Sequence, residues 1–176
     1  MSDTKAPARY RASLGRYFED FTVGDVYEHF PGRTITEADN IQFSLLTMNQ
    51  HPMHCDAAFA ANSEFGRPLV NSGLTLAIVL GMTVADVSGK AIANLGWTEI
   101  KLTAPVVPGD TIYAESEVLE KRESKSRPTQ GIVNVRSTGR KDDGTVFMSF
   151  VRSVLIPKRG HAVQDLHQRF TPATKP

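Results

Sequence analysis

The chain has 176 residues, of which 40% are hydrophobic and 22% are charged, and its formal net charge is +1. This length and hydrophobic content suit one globular domain, and the near-neutral charge gives no electrostatic argument for nucleic acid or an anionic membrane as a partner. The one cysteine, Cys55, excludes an internal disulfide and favours a reducing compartment. No apolar run approaches the roughly 20 residues that span a bilayer, and the N-terminus has no hydrophobic signal core. We therefore expect a cytoplasmic protein.

The first predicted elements precede residue 52. Residues 1–16 are small, charged and proline-bearing, which is typical of a flexible arm or a partner-binding extension. A short strand pattern follows at residues 26–30. Thr36 is a candidate helix cap with Asp39 three residues later, and apolar residues then recur at helical spacing. This pattern predicts a first helix that ends near Pro52.

Residues 49–56, Asn-Gln-His-Pro-Met-His-Cys-Asp, form the most informative segment. Pro52 fixes its own φ and pushes the preceding residue toward an extended conformation, so the loop is stiff. Histidine titrates near neutrality, which makes His54 a candidate general acid or base. Asn49 can hold a water molecule but cannot deprotonate it. A histidine that stands alone in such a loop is more often a surface or capping residue.

A short helix is predicted after Asp56, and a long apolar helix is predicted over residues 73–87. The near-continuous apolar composition indicates that the long helix is buried on most sides. Asn71 and Ser72 precede it and are ordinary N-cap residues. The first N–H groups of such a helix have no intrahelical partner, and together with the helix dipole they can polarise a carbonyl oxygen. A stiff histidine loop so close to a helix start favours catalysis over capping.

The pattern changes to β-branched and alternating segments after the long helix. They cover residues 92–104, 111–121, 131–139 and 146–157, with turn sequences rich in Pro, Gly and Asp between them. A buried helix followed by an antiparallel meander predicts an α+β fold with the sheet wrapped around the helix. Such a sheet exposes an edge that a second copy would cover, so we expect a homodimer or a higher homo-oligomer of dimers.

Residues 35–82 resemble the MaoC-like hydratase family of hot-dog-fold enzymes. The usual motif of that family reads Asp-x-Asn-Pro-x-His-x-Asp, followed by Arg-Pro-x-Val/Ala-His-Gly before the central helix. Here Pro52-Met53-His54-Cys55-Asp56 retains the Pro-x-His-x-Asp part, and residues 65–70 match the Arg-Pro part. Residues 104–112 resemble a further segment of the family, Pro-Val-x-x-Gly-Asp-Thr.

Two departures from the family motif matter. Asn49 occupies the position of the catalytic Asp, with His51 at the motif's Asn position, and the His-Gly at the helix start reads Asn71-Ser72. One branch of the family resembles the chain more closely, with Thr-Met-Asn at residues 47–49 and Val-Asn-Ser at residues 70–72. Its members are linked to branched or dicarboxylic substrates such as mesaconyl-CoA or itaconyl-CoA. On this resemblance, Asn49 is a feature of the branch.

The resemblance implies a lyase that adds water to a 2-enoyl thioester, usually linked to coenzyme A, or removes it. By position, His54 is the general acid or base, and Ser72, with Gly73 beside it, binds the thioester oxygen through a backbone N–H. Three interpretations of Asn49 are open: it orients water while His54 works alone, Asp56 or another carboxylate replaces the Asp, or hydration has been lost. We favour the first, because positioning alone contributes several kcal/mol to catalysis.

Arg67, Asn71 and His51 are the predicted substrate-binding residues. They make the mouth of the site more polar than an alkyl chain requires, which favours an acidic or branched acyl group. The alternative is that Arg67 only holds its loop and Asn71 only caps the helix. Coenzyme A enters as part of the substrate. No cofactor or metal is expected, because His161 and His167 lack the spacing and companions of metal ligands.

The resemblance covers residues 17–157, so a single hot-dog domain is predicted between an arm at residues 1–16 and a tail at residues 158–176. Two rival functions stay open: a non-catalytic acyl-CoA-binding subunit and an acyl-CoA thioesterase. The Pro-x-His arrangement favours the hydratase. The basic loop at residues 120–128 is either a solvated hairpin turn, which we favour, or a contact for the phosphates of coenzyme A.

Overall fold

The structure, a computed structural model, describes residues 13–166. Its strands are β1 Val26–Thr34, β2 Ala93–Leu102, β3 Thr111–Glu123, β4 Gln130–Lys141 and β5 Val146–Pro157. Its helices are α1 Glu37–Leu46, α2 Ala57–Ala61, α3 Ser72–Met82 and α4 Val163–Leu166. Short 3-10 turns occur at Phe18–Asp20 and Pro52–His54, and a π-helical turn, Val84–Ser88, follows α3.

The strands form one antiparallel sheet in the order β1-β3-β4-β5-β2. Strands β3, β4 and β5 are the predicted meander, with β1 beside β3 and β2 beside β5. Helix α3 packs across β1, β3 and β4. The predicted α+β arrangement of an antiparallel sheet around one central helix is therefore confirmed.

The core has two parts, because side chains alternate across the strands and only the inner face is buried. The first part lies under α3, where Leu74 and Val79 meet Ile112, Phe147 and Phe150. The second lies at the other end of the sheet, where the 3-10 turn at Phe18–Asp20 covers a group of valines from the meander and Val87. The start of α3 lies at one end of the sheet, beside the loop that carries the predicted histidine.

Helix α1 begins with the predicted capping box. The Thr36 hydroxyl accepts the Asp39 N–H at 3.1 Å, and the Asp39 carboxylate accepts the Thr36 N–H at 2.9 Å. The Thr36 N–H and the Thr36 hydroxyl both donate to the Asp39 carboxylate, and these bonds hold the pKa of Asp39 below its ordinary value. The buried residues of the helix are polar, Asn40 and Ser44. The apolar Leu46, in contrast, is 83% exposed, so apolar spacing predicted the helix but not its buried face.

Helix α3 starts at Ser72 and ends at Met82, slightly shorter than the predicted 73–87. Gly73, Ala77 and Gly81, which lie four residues apart on one stripe of the helix, are exposed. The helix is therefore less buried than its composition predicted. At its C-terminal end, buried Arg152 donates to the Thr83 hydroxyl at 2.9 Å, and burial lowers the pKa of Arg152 to about 10. A cation there complements the negative end of the helix dipole.

Both terminal segments are ordered where the structure describes them. The Lys90 ammonium donates to Ser13 Oγ, Leu14 O and Gly15 O at 2.7–2.9 Å, which fastens the end of the N-terminal arm. At the other end, the Gln164 amide donates to Gly89 O at 2.8 Å. The predicted boundaries at 16 and 158 therefore do not mark where packing stops. Residues 1–12 and 167–176, including His167, lie outside the described residues.

Across residues 13–166, no three His, Cys, Asp or Glu side chains converge in a way that would hold a metal ion. His161 is exposed. No helix in the same range is both long and apolar enough to cross a membrane.

Candidate active site

The loop between α1 and α2 carries the predicted histidine and is held by its own side chains. Asn49 Oδ1 accepts the His51 N–H at 3.2 Å. His51 Nδ1 in turn accepts the Met53 N–H at 3.2 Å and caps the 3-10 turn at Pro52–His54. Proline suits the first position of such a turn, because its φ is fixed and its missing N–H is not needed. The local bonds account for the stiffness that the sequence predicted.

One backbone carbonyl orients His54. The ring Nδ1 lies 2.9 Å from Leu69 O. A carbonyl oxygen can only accept a hydrogen bond, so in the neutral ring Nδ1 carries the hydrogen and Nε2 keeps a lone pair. His54 thus has the tautomer of a general base, with the basic nitrogen on the side of the ring opposite Leu69.

The start of α3 offers one N–H group. Asn71 caps the helix through its Oδ1, which accepts the Gly73 N–H at 2.9 Å. The Ser72 N–H has no acceptor in the described part of the chain. No acidic side chain in the first turn neutralises the positive end of the helix dipole. This corrects the prediction for Gly73, whose N–H is engaged in the cap, and leaves Ser72 as the candidate oxyanion donor.

A cavity of about 390 Å³ brings the base and the donor together. His54 and Ser72 both line it, and its other walls are mainly apolar, among them Leu69, Val70, Leu102, Pro105, Val106 and Phe147. The volume lies in the range of about 300–1,000 Å³ that is common for small-molecule sites. A basic nitrogen, a free N–H and an apolar wall are suited to proton transfer beside a polarised carbonyl group.

Asn49 and His51 do not line this cavity. The His51 ring lies 5.9 Å from the His54 ring, between centroids. Asn49 Oδ1 uses one of its two lone pairs for the His51 N–H, so its second lone pair and its amide N–H donors remain for another molecule. Asn49 can thus still donate or accept a hydrogen bond, whereas the ionised Asp of the family only accepts.

Arg67 and Asn71 make contacts within the protein. Arg67 donates to Pro108 O at 3.2 Å, which ties the segment before α3 to the turn before β3. Asn71 is 5% exposed, and its amide nitrogen donates to Ser44 Oγ at 3.3 Å. These are the structural roles that the sequence also allowed. Because the amide donor of Asn71 already has a partner in the protein, it no longer supports the prediction of an acidic substrate. Substrate binding by Arg67, Asn71 and His51 stays a prediction.

Asp56 acts as a helix cap. Its Oδ1 accepts the Phe59 N–H at 2.9 Å at the start of α2, and the residue is exposed. The residues that line the cavity within the described range include no carboxylate. The interpretation in which a carboxylate replaces the family's Asp therefore has no support in this chain's own cavity.

Asn40 was not among the site residues predicted from the sequence. Its amide nitrogen donates to His54 O and to Leu69 O, both at 2.9 Å, and its Oδ1 accepts the Asn71 N–H at 2.8 Å. The available signal was a pair of polar residues four apart, Asn40 and Ser44, in a helix whose apolar spacing drew attention to the opposite face. The far wall of the cavity was also missed, because its residues come from distant parts of the chain.

The basic loop at residues 120–128 lies at the other end of the sheet. The pairing of β4 with β5 runs from Gly139 opposite Met148, near the cavity, to Gln130 opposite Pro157, near this loop. The strand from Met148 to Pro157 covers roughly 30 Å at about 3.3 Å per residue. The favoured interpretation, a hairpin turn, is confirmed, since the loop joins β3 to β4.

A family model described as "Mesaconyl-CoA hydratase" matches residues 5–174. The chain belongs to this family. The predicted resemblance, including the branch linked to mesaconyl-CoA, is confirmed.

Two curated relatives are similar over most of this chain. A mesaconyl-CoA hydratase from Cereibacter sphaeroides is 34% identical over 152 residues, which is 86% of this chain and 44% of the relative. A beta-methylmalyl-CoA dehydratase from Chloroflexus aurantiacus is 37% identical over 149 residues, which is 85% of this chain and 42% of the relative. This chain thus spans less than half the length of these relatives.

Solved structures carry the same fold. A MaoC-like dehydratase from Rhodospirillum rubrum is 28% identical with a TM-score of 0.73, and the match covers 82% of this chain and 99% of that one. A conserved hypothetical protein from Mycobacterium tuberculosis with a double hot-dog fold shares the fold at a TM-score of 0.75 and 23% identity, over 92% of this chain and 46% of that one. The described residues form one hot-dog unit.

Proposed function

We propose that this chain is the catalytic hot-dog unit of an enoyl-CoA hydratase or 3-hydroxyacyl-CoA dehydratase, a carbon–oxygen lyase. The observation that carries the proposal is that one cavity is lined by both His54, whose Nδ1 is held by Leu69 O, and Ser72, whose N–H has no acceptor among the described residues. Family membership supports the same chemistry. The relatives named above act on CoA thioesters in this way by their own descriptions.

In the hydration direction, the thioester oxygen accepts the Ser72 N–H at the positive end of α3. This draws electrons from the conjugated double bond, so the β-carbon becomes electrophilic. A water molecule forms the new C–O bond at the β-carbon and transfers one proton to His54 Nε2. The imidazolium then gives that proton to the α-carbon as the enolate collapses. The predicted role of Asn49, which lies outside the lining of this chain's cavity, is to orient the water. Dehydration is the same sequence in reverse.

These steps add water without net oxidation or reduction, and the residues named supply the proton carrier and the oxyanion donor, so the proposed chemistry needs neither a redox group nor a metal. Coenzyme A takes part as the carrier of the acyl group. For the acyl group itself we propose a short branched or dicarboxylic chain of the mesaconyl type. The support for this choice is the family, because the lining of the cavity is mostly apolar and the contacts of Asn71 are already made within the protein.

A substrate panel tests the proposed activity. We expect loss of the enoyl thioester absorbance with mesaconyl-CoA, at a higher kcat/KM than with crotonyl-CoA or a longer straight-chain enoyl-CoA. A clear preference for the longer chain would contradict the substrate class but not the hydratase. Release of free thiol would instead indicate a thioesterase. Binding of every ester without turnover would indicate the non-catalytic subunit.

Replacing His54 should remove the proton-transfer group. We expect His54→Ala to lower kcat on the best substrate by about 10²–10⁴-fold, the usual contribution of a general acid–base group. The matched control is His161→Ala, an exposed histidine outside the cavity, which should leave kcat unchanged. A folded His54→Ala protein with near-normal turnover would remove His54 from the mechanism.

Asn49 should respond differently to two substitutions. Asn49→Asp keeps an acceptor for the His51 N–H and restores the family's carboxylate, so we expect it to retain or raise kcat/KM. Asn49→Ala loses both the turn bond and the water contact, so kcat/KM should fall substantially. Asn62→Ala, which removes an exposed amide outside the cavity, is the control. If Asn49→Ala matched the wild type, the side chain would have no role in orienting water.

We propose that the working unit is a homodimer joined along β2. This strand pairs with β5 on one side only, and it carries the half-exposed apolar residues Leu95, Trp97, Ile100 and Leu102. Leu102 also lines the cavity, so a partner on this edge would complete the site. The other edge, β1, is broken by a register shift that contains Pro31, which disfavours strand pairing.

Light scattering tests the dimer. We expect a mass of twice the 19.3 kDa of the chain, and a shift toward the monomer with lower turnover in Trp97→Asp. Val23→Asp places the same charge on an exposed apolar position before β1 and should change neither result. A wild-type monomer with full activity would contradict the dimer.

A further inference from the structure

The two buried side chains of α1, Asn40 and Ser44, are polar, and both contact the catalytic elements, whereas Phe43 is partly buried against the core. Asn40 is fully buried, and each of its hydrogen bonds ends on a backbone group. Burying an amide is unfavourable unless its donors and acceptor find partners. Here both amide hydrogens and the amide oxygen are satisfied. Because an apolar side chain could fill this space, the presence of an amide indicates a specific role.

The partners of Asn40 lie in the two segments that the proposed reaction uses. One amide hydrogen goes to the carbonyl of His54 itself. The other goes to the carbonyl of Leu69, which also accepts the hydrogen of His54 Nδ1. Asn40 therefore fixes the histidine twice, once through its backbone and once through the acceptor that orients its ring.

The oxygen of Asn40 reaches the other half of the site. It accepts the N–H of Asn71 at 2.8 Å, one residue before the candidate oxyanion donor Ser72. The neighbouring Ser44 accepts from the side chain of the same Asn71 at 3.3 Å. One side of α1 thus joins the turn that carries the base to the start of the helix that carries the donor.

We infer that Asn40 is a positioning residue that holds His54 and the Ser72 N–H at a fixed separation and holds the Leu69 carbonyl in the place from which it sets the tautomer of His54. The inference rests on the proposed function and deepens it. Asn40 does not line the cavity, so it acts through other residues and makes no contact with substrate. The Leu69 N–H also joins the two segments, because it donates to Met53 O at 3.1 Å, and the His54 ring bonds Leu69 O. Asn40 adds the bonds that reach both the His54 carbonyl and the Asn71 N–H from a single side chain.

The test compares Asn40→Leu with Thr83→Val. Leucine has the same branching and number of side-chain heavy atoms but bonds none of the three backbone groups. Thr83 is also fully buried, and it bonds Leu80 O and Arg152 at the far end of α3, so Thr83→Val is a control for general loss of stability. We expect Asn40→Leu to lower kcat by about 10–100-fold with KM within a few-fold, since small misplacements of reacting groups have effects of this size. Thr83→Val should leave kcat unchanged.

The second measurement is the ¹⁵N spectrum of the histidine rings, with His54 assigned from the His54→Ala protein. The wild type and Thr83→Val should show His54 as the Nδ1–H tautomer, and Asn40→Leu should show a mixture of both tautomers. This readout does not depend on turnover. If the wild type hydrates no enoyl-CoA, the proposed function fails, yet the tautomer still tests the positioning role.

Two results would overturn the inference. One is an equal loss of kcat in Asn40→Leu and Thr83→Val, which would reflect stability alone. The other is an unchanged His54 tautomer in a folded Asn40→Leu protein. If Asn40→Leu does not fold, Asn40→Asp replaces it, because it keeps an acceptor for the Asn71 N–H but loses the paired amide donors. We then expect the tautomer mixture and a smaller loss of kcat, and an unchanged tautomer would again overturn the inference.

Discussion

The carbonyl group of Leu69 is the point on which the candidate site depends. It accepts hydrogen bonds from the amide of Asn40 and from the ring of His54, both at 2.9 Å. A carbonyl oxygen has two lone pairs, so these two donors fill its capacity. The same carbonyl lies two residues before Asn71, the cap of α3. The orientation of the base and the start of the helix are therefore set within one short stretch of backbone.

This arrangement explains why a helix with an exposed apolar face is docked by its polar face. Burial of Leu45 and Leu46 would stabilise α1 through the hydrophobic effect. This effect is non-directional, so it would fix neither the rotation of α1 about its axis nor its distance from the site. Hydrogen bonds from Asn40 and Ser44 are directional, and they specify both. The opposite end of α3 shows the same use of polar contacts, because Arg152 bonds Thr83 beside the last carbonyl groups. The positive end of the helix dipole is left for the cavity.

The sequence was sufficient for most of the fold, because local signals agreed with the final structure. The capping pair of Thr36 and Asp39 predicted α1, and alternating residues predicted the meander. The position of His54 followed from its motif. The sequence could not show that the Ser72 N–H is available while the Gly73 N–H is bonded, because both depend on the rotamer of Asn71. Asn40 could not be found from the sequence, since its partners lie 14, 29 and 31 residues away.

The absence of a carboxylate from the described cavity constrains the stereochemistry of the proposed reaction. With an Asp and a His, separate groups can handle the water and the α-proton, and the two groups need not lie on one face of the double bond. Asn49 cannot act as an acid or a base, so a single nitrogen of His54 must receive the proton from water and deliver it to the α-carbon. The Leu69 carbonyl holds Nδ1 and so fixes the ring, and the Nε2 of a fixed ring reaches only one face of a planar enoyl group. Water and proton must then add to the same face, and a fixed His54 ring becomes a condition of the chemistry as well as of the fold.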